Sequence, residues 1–97
     1  MIRFVGLNKL AEEEQSKVKL IAERAFEKYS AKIKDPLFVL HVKLANKEGN
    51  RKEFNIKARL ESPDGMFEAS HFDYDLPKTL HKVMDHLENQ LKHKLKD

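Results

Sequence analysis

Lys17, Arg24, Lys28 and Lys32 recur down one segment of the chain, and Lys78, Lys82, His86, Lys92, His93 and Lys96 recur down another. By the 3.6-residue helical period, Lys17, Arg24 and Lys28 fall within about 40° of one another, and Lys32 continues the row. Two such rows on one broad surface would suit a sugar-phosphate backbone. That ligand is bound by charge and recognised by shape more than by sequence. Arg24 and Arg59 have the planar fork that meets two phosphate oxygens at once.

A lysine-rich helix face is ordinarily solvated surface. Two features argue for more here. The first row flanks an apolar stripe and does not mix with Glu23 and Glu27. The second segment, residues 76–97, carries five lysines and three histidines against three acids.

Other chemistries lack their residues. The only glycines are Gly6, Gly49 and Gly65, so no glycine-rich phosphate loop can form. Neither a nucleophile elbow nor an HExxH zinc motif occurs. Ser16, Ser30, Ser62 and Ser70 have no evident base, and His71, on a strand, reads as a packed or edge residue. His86 and His93 stand two turns apart, about 10 Å along a helix, too far for one ion. His81, Asp85 and Glu88 share a helical face and could hold a weak cation, although a solvated face is the ordinary reading of that trio. Glu12, Glu13 and Glu14 suit a helix's first turn and, as neighbours, point in three directions. The expectation is no enzyme and no cofactor.

The elements that position the cations are legible in turn. Leu76 to Asp97 reads as one amphipathic helix, with Leu80, Val83, Met84, Leu87, Leu91 and Leu95 in a stripe. Asp75 or Leu76 would be its N-cap, and Pro77 suits its first turn. An earlier helix is expected from about Ala11 to Ile33, capped by Asn8 and stopped by Asp35-Pro36. Its apolar face is Val18, Ile21, Ala22, Ala25, Tyr29 and Ile33. Phe26 lies at the edge, and Leu20 falls off the face. Strands are expected at 2–7, 37–45, 52–61 and 66–74, the last with unclear register. Turns fall at 46–51 and at Ser62-Pro63-Asp64-Gly65. The order β-α-β-β-β-α predicts an α+β fold. Its two helices would pack on one face of a four-stranded, mostly antiparallel sheet, as in a double-stranded RNA-binding domain. The position of the first strand is open. Both cationic rows should then lie on one broad surface.

Ninety-seven residues, 36% charged with a net charge of only +3, make one domain spanning 1–97 with a modest core. Any anion-binding surface must come from arrangement. No cysteine, signal segment or membrane-length apolar run is present, which points to the cytosol.

The stretch DYDLPKTLHKVMDHLENQLKHKLKD (73–97) resembles the last helix of the ribosome hibernation-promoting factor family, also called the ribosome-associated inhibitor or sigma-54 modulation family. Asp75-Leu76 and Gln90 to Lys96 (QLKHKLK) stand at matching places. EASHFDYD (68–75) matches the family's small and acidic last strand, and the element order matches over essentially the whole chain. Pro77, Lys78 and Thr79 replace the family's frequent Tyr-Ala-Ala. The resemblance implies a short-form factor that binds small-subunit rRNA in the channel used by mRNA and tRNA, and so silences translation. It implies no small-molecule substrate and no membrane, and the expected state is a monomer. Two other readings of the residues are a duplex-RNA module and a protein-interaction module that uses a sheet edge. Against the duplex-RNA module, the 46–51 turn lacks the glycine-proline-x-histidine loop.

Overall fold

A computed structural model describes residues 1–96, with the side chains of Asn50, Leu95 and Lys96 outside the description. The roles expected of Lys96 and Leu95 therefore lie outside the described side chains, and Asp97 outside the described residues.

Among these residues the order is β1 (Ile2–Val5), α1 (Glu12–Ser30), β2 (Leu37–Lys47), β3 (Arg51–Ser62), β4 (Gly65–Asp73) and α2 (Leu76–Lys96). The sheet runs β1-β2-β3-β4. β2, β3 and β4 form the expected antiparallel meander. β1 settles the open question of the first strand: it lies parallel to β2 at the edge, with Ile2 opposite Phe38 and Phe4 opposite Leu40. The backbone of residue 1 fastens it, since the Met1 nitrogen donates to Pro36 O and Phe38 N donates to Met1 O.

Alternation along the strands sends Phe38, Leu40, Val42, Phe54, Ile56, Ala58, Leu60, Phe67 and Ala69 to one face, where all are buried. The helices cover that face. α2 lies over β3 and β4, tied by Gln90 Nε2 donating to Glu68 O at 2.6 Å. α1 reaches β2 through the edge-on packing of Tyr29 against Phe38. The predicted stripes are the buried ones: Val18, Ala22, Ala25 and Tyr29 on α1, and Leu80, Val83, Met84, Leu87 and Leu91 on α2.

The start of α2 follows the sequence. Asp75 Oδ1 accepts from Lys78 N at 3.0 Å, the N-cap contact, while Thr79 Oγ1 donates to Asp75 O inside the buried seam. The limits of α1 differ. Ala11, not Asn8, stands at the N-cap, and Glu14 Oε1 accepts from its N–H at 2.9 Å; Asn8 belongs to a separate short turn, Leu7–Lys9. The helix ends at Ser30, ahead of Asp35-Pro36. Lys32 N and Ile33 N both donate to Tyr29 O, a tightened turn after which Ile33 is buried in the core.

Two close features fix the path of the chain. Gly6 has φ 82, and a Cβ there would overlap the Val42 carbonyl oxygen; only glycine meets both conditions. Ser62 pairs with Gly65 across the Pro63-Asp64 turn, which sets the β3–β4 register. Phe67 and Ala69 therefore face the helices, while Phe72 faces out at 63% exposure.

Candidate nucleic-acid interface

The two helices lie side by side on one face, as the placement of the cations requires. Lys17, Arg24 and Lys28 are exposed along α1 and Lys78, Lys82, His86, Lys92 and His93 along α2; Lys32 is exposed in the turn after α1, since the helix ends at Ser30, before the expected row is complete.

The rows do not merge into one positive surface, which corrects the expectation. A groove of about 170 Å³ separates the helices. Arg24 and Lys28 line its α1 side; His81, Asp85 and Glu88 line its α2 side. Lys32 Nζ approaches Glu88 Oε1 at 4.0 Å. The cause is the rotation of α2 about its own axis. Burying Leu80, Met84, Leu87 and Leu91 turns the Asp85–Glu88 flank toward α1. Lys82, His86 and His93 are carried around the helix, away from the groove, while Lys78 stands two turns ahead of Asp85 along it. Lys92, about 40° from Glu88 on the helical projection, stays near the acidic flank.

Arg59 is also not where a helix-side contact needs it. It lies on the opposite face of the sheet, with its guanidinium 3.4 Å from Glu68 and 3.5 Å from Glu61. Its fork is already engaged by carboxylates.

Tyr29 is only 2% exposed, and its hydroxyl donates weakly to Met84 O at 3.5 Å. Burial, with the carboxylates of Glu88 and Asp85 nearby, pushes its phenol well above the ordinary tyrosine value. Lys78 has its own acidic neighbour, Asp73, at 3.6 Å. The Tyr74 amide donating to Asp73 Oδ1, assisted by Lys78, holds that carboxyl below the usual range.

The trio His81, Asp85 and Glu88 thus faces the cations of α1. Among the described residues, no cluster of histidine and carboxylate side chains is arranged to hold a metal ion, and no helix is long and apolar enough to cross a membrane. The sequence pattern alone did not place Asp85 and Glu88 opposite the basic row. Their signal was present: they border the Met84 edge of the α2 stripe, just as Arg24 and Lys28 border the Ala25 edge of α1.

No protein-family model matches the sequence, and no curated protein sequence matches it. Solved structures do. A ribosomal subunit interface protein from Coxiella burnetii superposes with a TM-score of 0.67 at 16% identity, over 99% of this chain and 98% of that one. The N-terminal domain of Thermus thermophilus Protein Y superposes with a TM-score of 0.58 at 17% identity, over 95% and 92% of the two chains. The likeness is one of fold, nearly end to end, and it agrees with the resemblance read from the sequence.

Proposed function

We propose that this protein is a non-enzymatic, cytoplasmic factor that binds rRNA of the small ribosomal subunit in the mRNA/tRNA channel and inhibits translation by occupying it. The observation that carries this reading is the end-to-end fold shared with a ribosomal subunit interface protein, joined to the exposed cations of the helix layer. In this reading Lys17, Arg24 and Lys28 meet phosphates from α1, and Lys32 from the turn after it. Lys78, Lys82, His86, Lys92 and His93 do so from α2, and Lys96 extends that row along the sequence.

Occlusion suits a small factor without catalytic machinery. It needs affinity, position and bulk, and phosphate contacts supply the first two while carrying no sequence information. The acidic seam between the rows divides the cationic surface into two ridges. Two ridges suit two separated backbone segments, as at a junction of folded rRNA, better than one continuous duplex groove.

The test is sedimentation of the protein with purified small subunits over a series of salt concentrations. Binding that is saturable, weakens steeply with salt and competes with mRNA is expected. Protein that stays in the supernatant at low salt removes the reading.

A further inference from the structure

The face of the sheet turned away from the helices has a defined chemical character of its own. The strand pairings lay it out as a grid. One row across β2, β3 and β4 is His41, Lys57, Ser70; the next is Lys43, Asn55, Phe72. His41, Lys43, Asn55, Lys57, Arg59 and Ser70 line a shallow depression of about 390 Å³, and Phe72 is the strand partner of Asn55 beside it. The size lies within the usual range of ligand sites, about 300–1,000 Å³. Lys43, Asn55, Lys57 and Ser70 are exposed.

Its charge is arranged unevenly. Glu68 lies 3.7 Å from Lys57 and 3.4 Å from Arg59. Glu68 compensates both Lys57 and Arg59, and Glu61 adds to Arg59, which leaves the excess of positive charge at the Lys43 end. Among the described residues no carboxylate lies within ion-pair distance of Lys43. Beside that end stands Phe72, a large apolar ring that is 63% exposed and opposite Asn55 on the neighbouring strand. Strands lie about 4.8 Å apart. The ring, the amide and the ammonium groups are therefore within the reach of one or two nucleotides.

An exposed aromatic ring, a neighbouring amide and the lysine at 43, which no described carboxylate pairs, together match one ligand. The ring stacks a base, Asn55 and Ser70 meet base or ribose edges, and Lys43 and Lys57 take the phosphate. A duplex keeps its bases stacked inside and has no use for the ring. An acidic peptide has no use for it either. We infer that the open sheet face, centred on Lys43, Lys57 and Phe72, is a second RNA site, one that takes a short single-stranded segment. It is separate from the helix layer and stands or falls independently of the ribosomal reading. If both hold, the domain links structured RNA on one face to a single strand on the other.

The test is fluorescence anisotropy with a labelled eight-residue oligouridylate, with an RNA hairpin lacking a single-stranded overhang and with polyglutamate as competitors. Phe72→Ala is expected to weaken oligouridylate binding by about tenfold, the scale of one lost base–aromatic stack, and Lys43→Ala by several-fold. Lys19→Ala, at an exposed lysine with no part in either surface, is expected to leave it within twofold. Circular dichroism on each variant checks the fold, which an exposed ring does not hold up. Three results would overturn the inference. One is no saturable binding of the oligonucleotide by the folded wild-type protein. The second is equal affinity in Phe72→Ala. The third is displacement by polyglutamate as effective as by unlabelled oligouridylate.

Discussion

Lys32 and Glu88 face each other across the helix seam, Nζ to Oε1 at 4.0 Å, and this pair joins the cationic row of α1 to the acidic flank of α2. Both side chains are about one-third exposed, so the pair adds little stability. Its consequence is electrostatic: each α1 cation near the groove carries part of a carboxylate's field. A modest net charge is thereby focused on two ridges and damped between them.

Neutralising that flank should strengthen RNA binding. Asp85→Asn and Glu88→Gln are each expected to tighten binding to small subunits by about twofold to fivefold at low salt, the scale of an exposed ion pair. Cooperative unfolding should change by less than about 0.5 kcal/mol. Weaker binding in Glu88→Gln would mean that Glu88 positions Lys32 for RNA instead of competing with it.

Removing cations should do the opposite, and in a countable way. Each phosphate neutralised contributes about 0.7–0.9 to the slope of log affinity against log salt. Lys28→Ala and Lys82→Ala are each expected to lower the slope by about that much, and the double variant by the sum. A slope that is flat in the wild type, or unchanged in both variants, sinks the electrostatic account of the helix layer.

Much of this architecture is legible from local pattern. The α2 stripe, the strict alternation of β3 and the Ser62–Gly65 turn each lie within a few residues of sequence, and each element forms as expected. What escaped was non-local. The place of β1 depends on a crossover through α1, and no pattern in Ile2–Val5 specifies its neighbour. The register of β4 was obscured because Phe67 and Ala69 oppose Phe72 and Tyr74 in the alternation. Phe72 points outward because the Ser62–Gly65 pairing sets the register of the whole strand. The candidate site was half legible: membership of each row follows from helical period. The meeting of Arg24, Lys28 and Lys32 with Asp85 and Glu88 depends on how two helices rotate against a common sheet.

Burial also separates two leucines that look alike in sequence. Leu87 is fully buried under α2, and Leu20 is 50% exposed on α1. Leu87→Ala is expected to destabilise the fold by about 2–5 kcal/mol, and Leu20→Ala to stay within about 0.5 kcal/mol. Urea titration followed by circular dichroism measures both. Equal costs would show that α2 is not seated on the sheet as described.

Gly6 offers a sharper test of the β1 connection. Its φ of 82, with the Val42 oxygen in the space a Cβ would take, makes Gly6→Ala costly through strain and overlap together, by at least about 1–3 kcal/mol. Gly49 has a similar φ of 75 but open space around it, so Gly49→Ala should cost less. The comparison separates backbone strain, common to both sites, from the collision unique to Gly6. Should the two variants melt together, the close approach of the chain to Val42 is refuted.

Tyr29 gives the fold a dependence on alkaline pH whose sign can be worked out. Its folded pKa is raised, chiefly by burial and then by Glu88 and Asp85. The unfolded chain ionises near pH 10, while the folded chain keeps the proton. Stability from this group is therefore fully present below pH 10 and is lost as pH rises toward the folded value, by at most about 1.4 kcal/mol per pH unit. Tyr29→Phe removes the ionisable group and gives up only a long hydrogen bond to Met84, so its cost at neutral pH should be below about 1 kcal/mol. Urea unfolding of both proteins from pH 8 to pH 11 should show the wild type losing its advantage above pH 10 and the Phe variant overtaking it. A constant gap across that range would mean that water reaches the hydroxyl, and that the helix seam is more open than the packing of Tyr29 against Phe38 and Met84 requires.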